Sequence, residues 1–584
     1  MTDVQTQGRS ISQPLFFGVA ALYWLLGMHL FMHNPGGSSF YLPFNMVGWA
    51  FVSLLIGIGV WQVAGSQRLY FSSLQAGLWG GFALLLIPLF AHTELGMEAG
   101  IPKMLGIAAG LLLLFALSQL RLAREQRLLL LYLLLGAVAI EAVLGVVQYY
   151  LLTPGNWIGY DTLRNRPYGI FQQVNVLASF LATGIGLSLY LAVYDPQALR
   201  QRWRLALICA VLLMATVLVV VIQSRAGWIG AGVVTVLLLP QVLRLPNPRR
   251  YLLLLALIAG VCVALYSLWF GGAERSLESL VGRQVRSIYW AHGLEMISKH
   301  PWLGIGYGHF EAAFVNDYYA VPQPLSGVPI IEQNLDHPHN EILYWGVEGG
   351  GIALSGLAVW LFAGIRLLRQ LPWPQRLALI ALPFPMLFHS MVEYPFYHSV
   401  AHWLALIWLV WFIDQEVGQP REYGCRTSFL FKSLVLLVPL VTVPFMATGI
   451  QTAYLVTQFE RGGMKDLTLL ERVINPLPWF SRFMYDVMSI RLINALPSHN
   501  AAELQAYVAW ATEFNAVQPR SQLYWNGALA LDALQQPEEA ARWRAEGVRL
   551  FPTDPLFKPQ VASTAVSAAN SAATATTSGG AAQP

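Results

Sequence analysis

The feature that most limits this chain is the recurrence of apolar stretches long enough to cross a lipid bilayer. A spanning helix needs about 20 largely apolar residues, and about thirteen stretches meet that measure. They lie at 15–31, 43–64, 74–91, 102–119, 128–149, 173–194, 205–223, 226–243, 251–270, 341–365, 377–393, 399–413 and 433–455. Runs such as Leu128–Leu135 and Val211–Ile222 are apolar on every side. In water each would have to be a fully buried core helix. Only 11% of the 584 residues are charged, against about 25% in a soluble protein, and mean hydropathy is +0.52. So little charge cannot coat that many cores. The expected fold class is all-α: a polytopic membrane protein of about 13 transmembrane helices.

Orientation follows from the positive-inside bias. With the N-terminus in the cytoplasm, the inside loops carry Arg68; Arg121, Arg124 and Arg127; Arg200, Arg202 and Arg204; Arg244, Arg249 and Arg250; Arg366, Arg369 and Arg376; and Arg421, Arg426 and Lys432. The short outside loops at 32–42 and 394–398 have no Lys or Arg. Residues Met1–Pro14 lack the basic region and cleavage site of a secretory signal, so the first apolar stretch reads as an uncleaved membrane helix.

Three outside segments are long: 152–172, 271–340, and everything after Tyr454. The second, about seventy residues, exceeds the usual length of a structureless connection and marks function. Residues 1–455 form the expected transmembrane domain and 456–557 a helical outside region. Within the latter, Ala501–Phe514 and Ser521–Phe551 resemble a tetratricopeptide-type hairpin without a second clear copy. Residues 558–584, rich in Ala, Ser and Thr, cannot build a core and are expected to be disordered.

Arginines on the outside oppose the charge rule: Arg164, Arg166, Arg225, Arg275, Arg283 and Arg286. Arg225 stands at the turn between two very apolar helices, where an ion marks either a functional site or a side chain reaching for the interface. The planar guanidinium stays charged when desolvated and matches phosphate oxygens. Several together point to a lipid-linked phosphate or diphosphate. Asp336-His337-Pro338-His339-Asn340 precedes a helix start. As a metal pair it lacks a further ligand at suitable spacing; a structural pair and an interfacial general base both fit. Gly304-Ile305-Gly306-Tyr307-Gly308 has no preceding strand and reads as a turn rather than a nucleotide loop. Cys209, Cys262 and Cys425 have no metal or redox spacing, and a net charge of +4 gives no nucleic-acid signature.

Three motifs, in order, carry a family resemblance. Arg286-Ser-Ile-Tyr-Trp290, His300-Pro-Trp-Leu-Gly-Ile-Gly-Tyr-Gly-His-Phe310 and His339-Asn340 followed by Gly350 resemble the large-loop signature of the O-antigen ligase and polymerase superfamily. Arg166-Pro-Tyr-Gly-Ile-Phe-Gln-Gln173-Val-Asn175 and Glu393-Tyr394-Pro395 resemble motifs of its protein-glycosylating, PglL-type branch. The resemblance spans about residues 160 to 400; the first part of the chain matches only as generic membrane helices.

The resemblance implies a GT-C-like, O-antigen-ligase-type membrane fold in the bacterial inner membrane, with the active site facing the periplasm. It implies transfer of a preassembled glycan from undecaprenyl diphosphate to a Ser or Thr hydroxyl of a pilin-like protein, with no cofactor and no metal. By position, His339 matches the base, and Arg225 and Arg286 match the diphosphate arginines. Gln173 and Tyr394 match polar residues of the protein-glycosylating branch, and Arg166, Asn175 and Asn340 are expected at the substrate. A lipid A-core ligase or a repeat-unit polymerase shares the core motifs. A transporter would also need deep arginines, but the chain has no repeated halves.

Overall fold

The computed structural model describes residues 11–92, 100–271, 285–320 and 330–557. Arg275, Arg283, part of the 271–340 loop and the 558–584 tail lie outside them. The first helices are α1 (Ser12–Leu25), α2 (Pro43–Ser66), α3 (Ser73–Ala91), α4 (Ile101–Gln119), α5 (Arg124–Tyr150), α6 (Val174–Tyr194), α7 (Arg202–Ile222), α8 (Arg225–Leu243) and α9 (Arg250–Gly271). They are followed by α10 (Val285–Lys299), α11 (Phe310–Tyr318), α12 (Glu341–Leu368), α13 (Trp373–Ala381), α14 (Phe384–Ser390), α15 (Pro395–His398), α16 (Val400–Val417) and α17 (Phe429–Arg461). Among the described residues, eleven helices are long and apolar enough to cross a membrane. The protein is an all-α polytopic membrane protein.

Two of the expected spans take another form. The first is the 14-residue α1, followed by a single 3-10 turn at Gly27–His29. The stretch 377–393 is broken into α13 and α14 around Leu382 and Pro383, because Pro383 and Pro385 cannot donate the helical N–H bonds there. After α14, Met391–Tyr394 is irregular chain.

The helices differ in how far protein, rather than lipid, surrounds them. In α6, 94% of the most apolar stretch is buried inside the protein, against 17% in α9 and 11% in α17. The central position of α6 needs close approach. A Cβ on Gly184 would lie 2.3 Å from Val138 Cγ1, and one on Gly227 of α8 would lie 2.6 Å from Ala178 Cβ. Small residues at such crossings let backbones pack where the apolar solvent gives no other drive.

The six loops expected inside all meet on one face. Strand Arg68–Phe71 pairs antiparallel with Arg421–Gly424, and Gln119 Nε2 donates to Tyr70 O at 2.8 Å. Arg127 reaches Glu416 at 2.8 Å and Arg124 the Tyr194 carbonyl at 2.9 Å. Arg249 donates to Leu199 O at 2.6 Å, while Tyr194 links to Gln241 and Gln241 to Pro374 O. The phase of the basic residues thus sorts the loop ends correctly, although nothing local announces the strand pairing.

Helix α12 is interrupted at Gly350, whose φ of 61° and ψ of −160° lie outside helical values. A break inside a membrane helix exposes polar backbone that must find partners. The 301–306 turn supplies them: Ile305 and Gly306 N–H donate to Val347 and Glu348 carbonyls, and Gly351 and Ile352 N–H donate to Pro301 and Trp302 carbonyls. A Cβ on Gly304 would fall 2.4 Å from the Glu348 carbonyl oxygen. The glycine-rich segment is a turn that repairs a helix break.

By internal contacts, residues 1–310 with 337–487 form one compact unit and 311–336 with 488–584 a second. In the second, the expected hairpin is three helices, Ala501–Val517, Ser521–Ala533 and Pro537–Leu550. The chain turns at Gln535, with φ 60°, and Trp543 lies over Gly527, where a Cβ would be 2.2 Å from the ring.

Candidate active site

The site is built from loops at the end of the bundle away from the basic face. One wall is the segment before α6. Gln148 of α5 accepts from Tyr168 N and Gly169 N at 2.9 and 2.8 Å and donates to Gly169 O at 3.0 Å. Glu141 accepts from Ile170 N at 2.9 Å and pairs with His29 at 2.6 Å. Gly169 has φ +60°, and a Cβ there would lie 2.2 Å from Glu141 Oε2. Only glycine fits between the helix and its loop.

This clamp delivers Gln173 to the start of α6. Its Oε1 accepts from Asn175 N at 2.5 Å and Val176 N at 2.9 Å, a helix cap that satisfies otherwise orphaned donors. The other end of the amide donates to Glu393 Oε2 at 2.9 Å, and Asn175 Nδ2 donates to Glu393 Oε1 at 2.6 Å. Arg286 of α10 reaches the same Oε1 at 3.1 Å. His389 Nε2 lies 3.2 Å from Oε2, with its Nδ1 2.8 Å from Ser179 Oγ. Glu393 is therefore the hub that joins the α6, α10 and α14 sides of the site.

Burial alone pushes the Glu393 carboxyl up. The hydrogen bond and charge of His389, with the charge of Arg286, outweigh it and hold the group at about 2. The carboxylate is ionised at neutral pH.

His339 sits before α12 with φ 55°, a backbone region that non-glycine residues seldom occupy and that recurs at functional sites. Its ring stacks at 18° to Tyr289, centroids 6.0 Å apart, and lies 5.9 Å from the Tyr394 ring. Its backbone N–H donates to His337 Nδ1 at 2.8 Å. Burial first, then the neighbouring His337, and finally Arg286, lower its pKa to about 4 against the opposing pull of Glu393. The imidazole is neutral at pH 7, as a base must be. Burial is the largest of these causes.

The other expected residues divide. Asn340 caps α12, accepting from Leu343 N at 2.9 Å and donating to Met391 O at 3.1 Å, so its amide holds two elements together. Arg166 Nε donates to Ile222 O at 2.9 Å, next to the α7–α8 turn. Arg225 is the exposed first residue of α8 after the Ser224 cap, and among the described residues no hydrogen bond or ion pair joins it to the Glu393 cluster. Gln173, Asn175, Arg286, His339 and Tyr394 are thus brought together, with Arg225 and Arg166 beside a neighbouring turn. Sequence reasoning missed Glu393 as the hub and His389 as its partner. The available signal was a carboxylate two residues before a proline at the end of an apolar stretch, where ions mark function by default.

The described site therefore places a part-buried carboxylate, holding an arginine, beside a neutral imidazole on a bundle of lipid-length helices. Comparison with known families gives the group. Residues 167–192 match the family described as protein glycosylation ligase, and 209–358 match O-antigen ligase. Residues 377–565 match the C-terminal part of the virulence factor membrane-bound polymerase family. Together these three matches support a membrane protein of the O-antigen ligase and PglL type, a group associated with glycosyl transfer. No curated protein matches it.

Proposed function

We propose that the protein transfers a preassembled glycan from undecaprenyl diphosphate to a Ser or Thr hydroxyl of a pilin-like protein, on the periplasmic side of the bacterial inner membrane. The observation that carries this reading is the segment matched to protein glycosylation ligases: it presents Gln173 and Asn175 to the carboxylate that also holds Arg286. His339 accepts the proton of the acceptor hydroxyl as its oxygen attacks the anomeric carbon from the face opposite the diphosphate. The new glycosidic C–O bond forms as the C–O bond to the diphosphate breaks. That electron pair leaves with undecaprenyl diphosphate, and Arg286 and Arg225 balance its charge. Arg286 rests on Glu393, and turning to a diphosphate would exchange one anion for another.

The test is transfer in vitro with purified lipid-linked donor and acceptor protein. His339→Ala should lose turnover while still binding donor, and near-normal turnover would defeat the assignment. The O-antigen ligase match, which spans Arg225, Arg286 and His339, favours a second reading in which lipid A-core is the acceptor. Offering both acceptors to one preparation separates the two.

A further inference from the structure

Lys103, near the start of α4, is a basic residue that neither the motifs nor the proposed chemistry use. Its side chain is 8% exposed, and Nζ lies 2.8 Å from Oε2 of the fully buried Glu348. A buried lysine within a membrane-spanning helix is costly and marks function by default. Four rings surround the ammonium: Tyr344 at 3.7 Å, Trp345 at 3.9 Å, Tyr307 at 5.3 Å and Tyr397 at 5.6 Å from their centroids. Such faces attract a desolvated cation.

The partners form a pattern on α12. Glu341, Tyr344, Trp345 and Glu348 follow the i, i+3, i+4, i+7 spacing and occupy one stripe. Lys103 lies against that stripe, between the two carboxylates. The Glu348 end ties down the repair turn, with Oε1 accepting from Gly308 N at 2.8 Å. At the other end, Glu341 Oε1 accepts from Trp345 Nε1 at 2.7 Å and from Tyr397 OH at 2.9 Å. Its Oε2 faces His337 Nε2 at 3.4 Å.

His337 has only one arrangement that serves both of its neighbours. Its Nδ1 accepts the His339 backbone N–H at 2.8 Å, so that nitrogen carries no proton. The proton of the neutral ring is then on Nε2, facing Glu341. The contact at Nδ1 is the one that ties down the His339 backbone N–H in its unusual conformation.

We infer that Lys103 is a positioning residue for the transfer reaction: by balancing the carboxylates of the α12 stripe it keeps Glu341 as the acceptor for His337, which fixes the backbone of His339. The inference rests on His339 being the base. The bland alternative is that Lys103 merely neutralises Glu348 so that the helices can pack. A buried pair replaced by neutral groups leaves no stray charge, whereas removing one partner is strongly destabilising.

That difference gives the experiment, performed on the full chain in nanodiscs with lipid-linked donor and acceptor protein. K103M/E348Q removes both charges of the pair, and the glutamine can still accept from Gly308. Packing alone predicts wild-type turnover. Positioning predicts that the melting temperature and the donor KM stay close to wild type while kcat falls roughly ten- to a hundred-fold, the cost of a slightly misplaced catalytic group. K103R, which keeps a cation among the rings, should recover most of the loss. Tyr397→Phe removes one donor from Glu341 and leaves the ion pair intact; it should lower kcat several-fold with KM unchanged. His339→Ala is measured alongside. If it turns over normally, the site itself is misassigned. If it is inactive while K103M/E348Q, or Tyr397→Phe should that variant not fold, shows wild-type kcat, only the positioning role is overturned.

Discussion

The depressed pKa of His339 makes a quantitative claim about activity in mild acid. An unperturbed imidazole titrates near 6.5, and burial with the adjoining charges lowers this one to about 4. Lowering means that the folded site disfavours imidazolium, by about 3 kcal/mol at about 1.4 kcal/mol per tenfold. As the proposed base, His339 would therefore be competent above the lowered value and lost only as pH falls through it. At pH 5.5 a group titrating near 4 is about 97% neutral, whereas one titrating near 6.5 is about 9% neutral. The two cases differ about tenfold in kcat/KM, which reports the free enzyme. The assay is initial-rate transfer from pH 4.5 to 8 at constant ionic strength, with subsaturating acceptor and a check that activity returns on neutralisation. We expect a flat profile down to about pH 5. Because burial is the leading cause, Tyr289→Ala, which removes the ring stacked on His339, should admit water and move the acidic limb upward. Replacing Arg286 by Gln removes a nearby cation that disfavours imidazolium, so its acidic limb should also move upward, by less than for Tyr289→Ala. A wild-type limb near pH 6.5 would refute the argument that burial tunes this residue.

 

Stated as a measurement, Arg286→Gln should lose its residual activity at a higher pH than wild type does, because one fewer cation opposes protonation of His339. Gly169→Ala forces a Cβ against Glu141 at a positive φ and should cost about 2 kcal/mol or more, read as a lower melting temperature together with weaker transfer; an unchanged melting temperature would contradict the clamp. Arg286→Lys keeps the charge but loses the fork and should transfer partially, with Arg286→Ala much worse. Transfer should survive EDTA, and chelation that abolishes it, with rescue by Mg²⁺ or Mn²⁺, would overturn the metal-free scheme. Alkaline phosphatase fused after Gln333 or Gly463 should be active and after Arg369 inactive; the reverse pattern would invert the orientation of the site.

Much of the framework is legible in the sequence because it depends on solvent and on charge, which act residue by residue. Apolar runs locate the long helices, and the basic loops sort to one face, where Arg68, Arg124, Arg249 and Arg376 all make their contacts. His339, Gln173 and Arg286 are reachable through motifs because each motif is contiguous. What stays hidden is pairing at long range. Glu393 gathers partners from residues 173, 175, 286 and 389, and no local pattern states that one carboxylate will receive them all. Lys103 is one basic residue at a helix start until α12 places Glu348 against it. Pro383 and Pro385 did carry a local signal for the helix break, which hydropathy averaging over 377–393 conceals.

The long-range pairing also bears on how a diphosphate can be received at a bilayer surface. An arginine left unpaired there would collect whatever anion was nearby, and an arginine locked on a buried carboxylate would never let go. Arg286 lies between those limits: it is 38% exposed, with one contact of 3.1 Å to a carboxylate that three other groups also satisfy. On the proposed function, if Arg286 turned to a diphosphate, Glu393 would keep Gln173, Asn175 and His389, so the carboxylate would not be left stranded in a low dielectric. A desolvated carboxylate with a single partner would resist that exchange. The amides of Gln173 and Asn175 therefore have a physical role without touching the glycan: they make the release of Arg286 affordable while keeping the wall of the site in place. By the same reasoning, replacing either amide with an apolar side chain strengthens the hold of Glu393 on Arg286, and the loss should appear first in donor affinity.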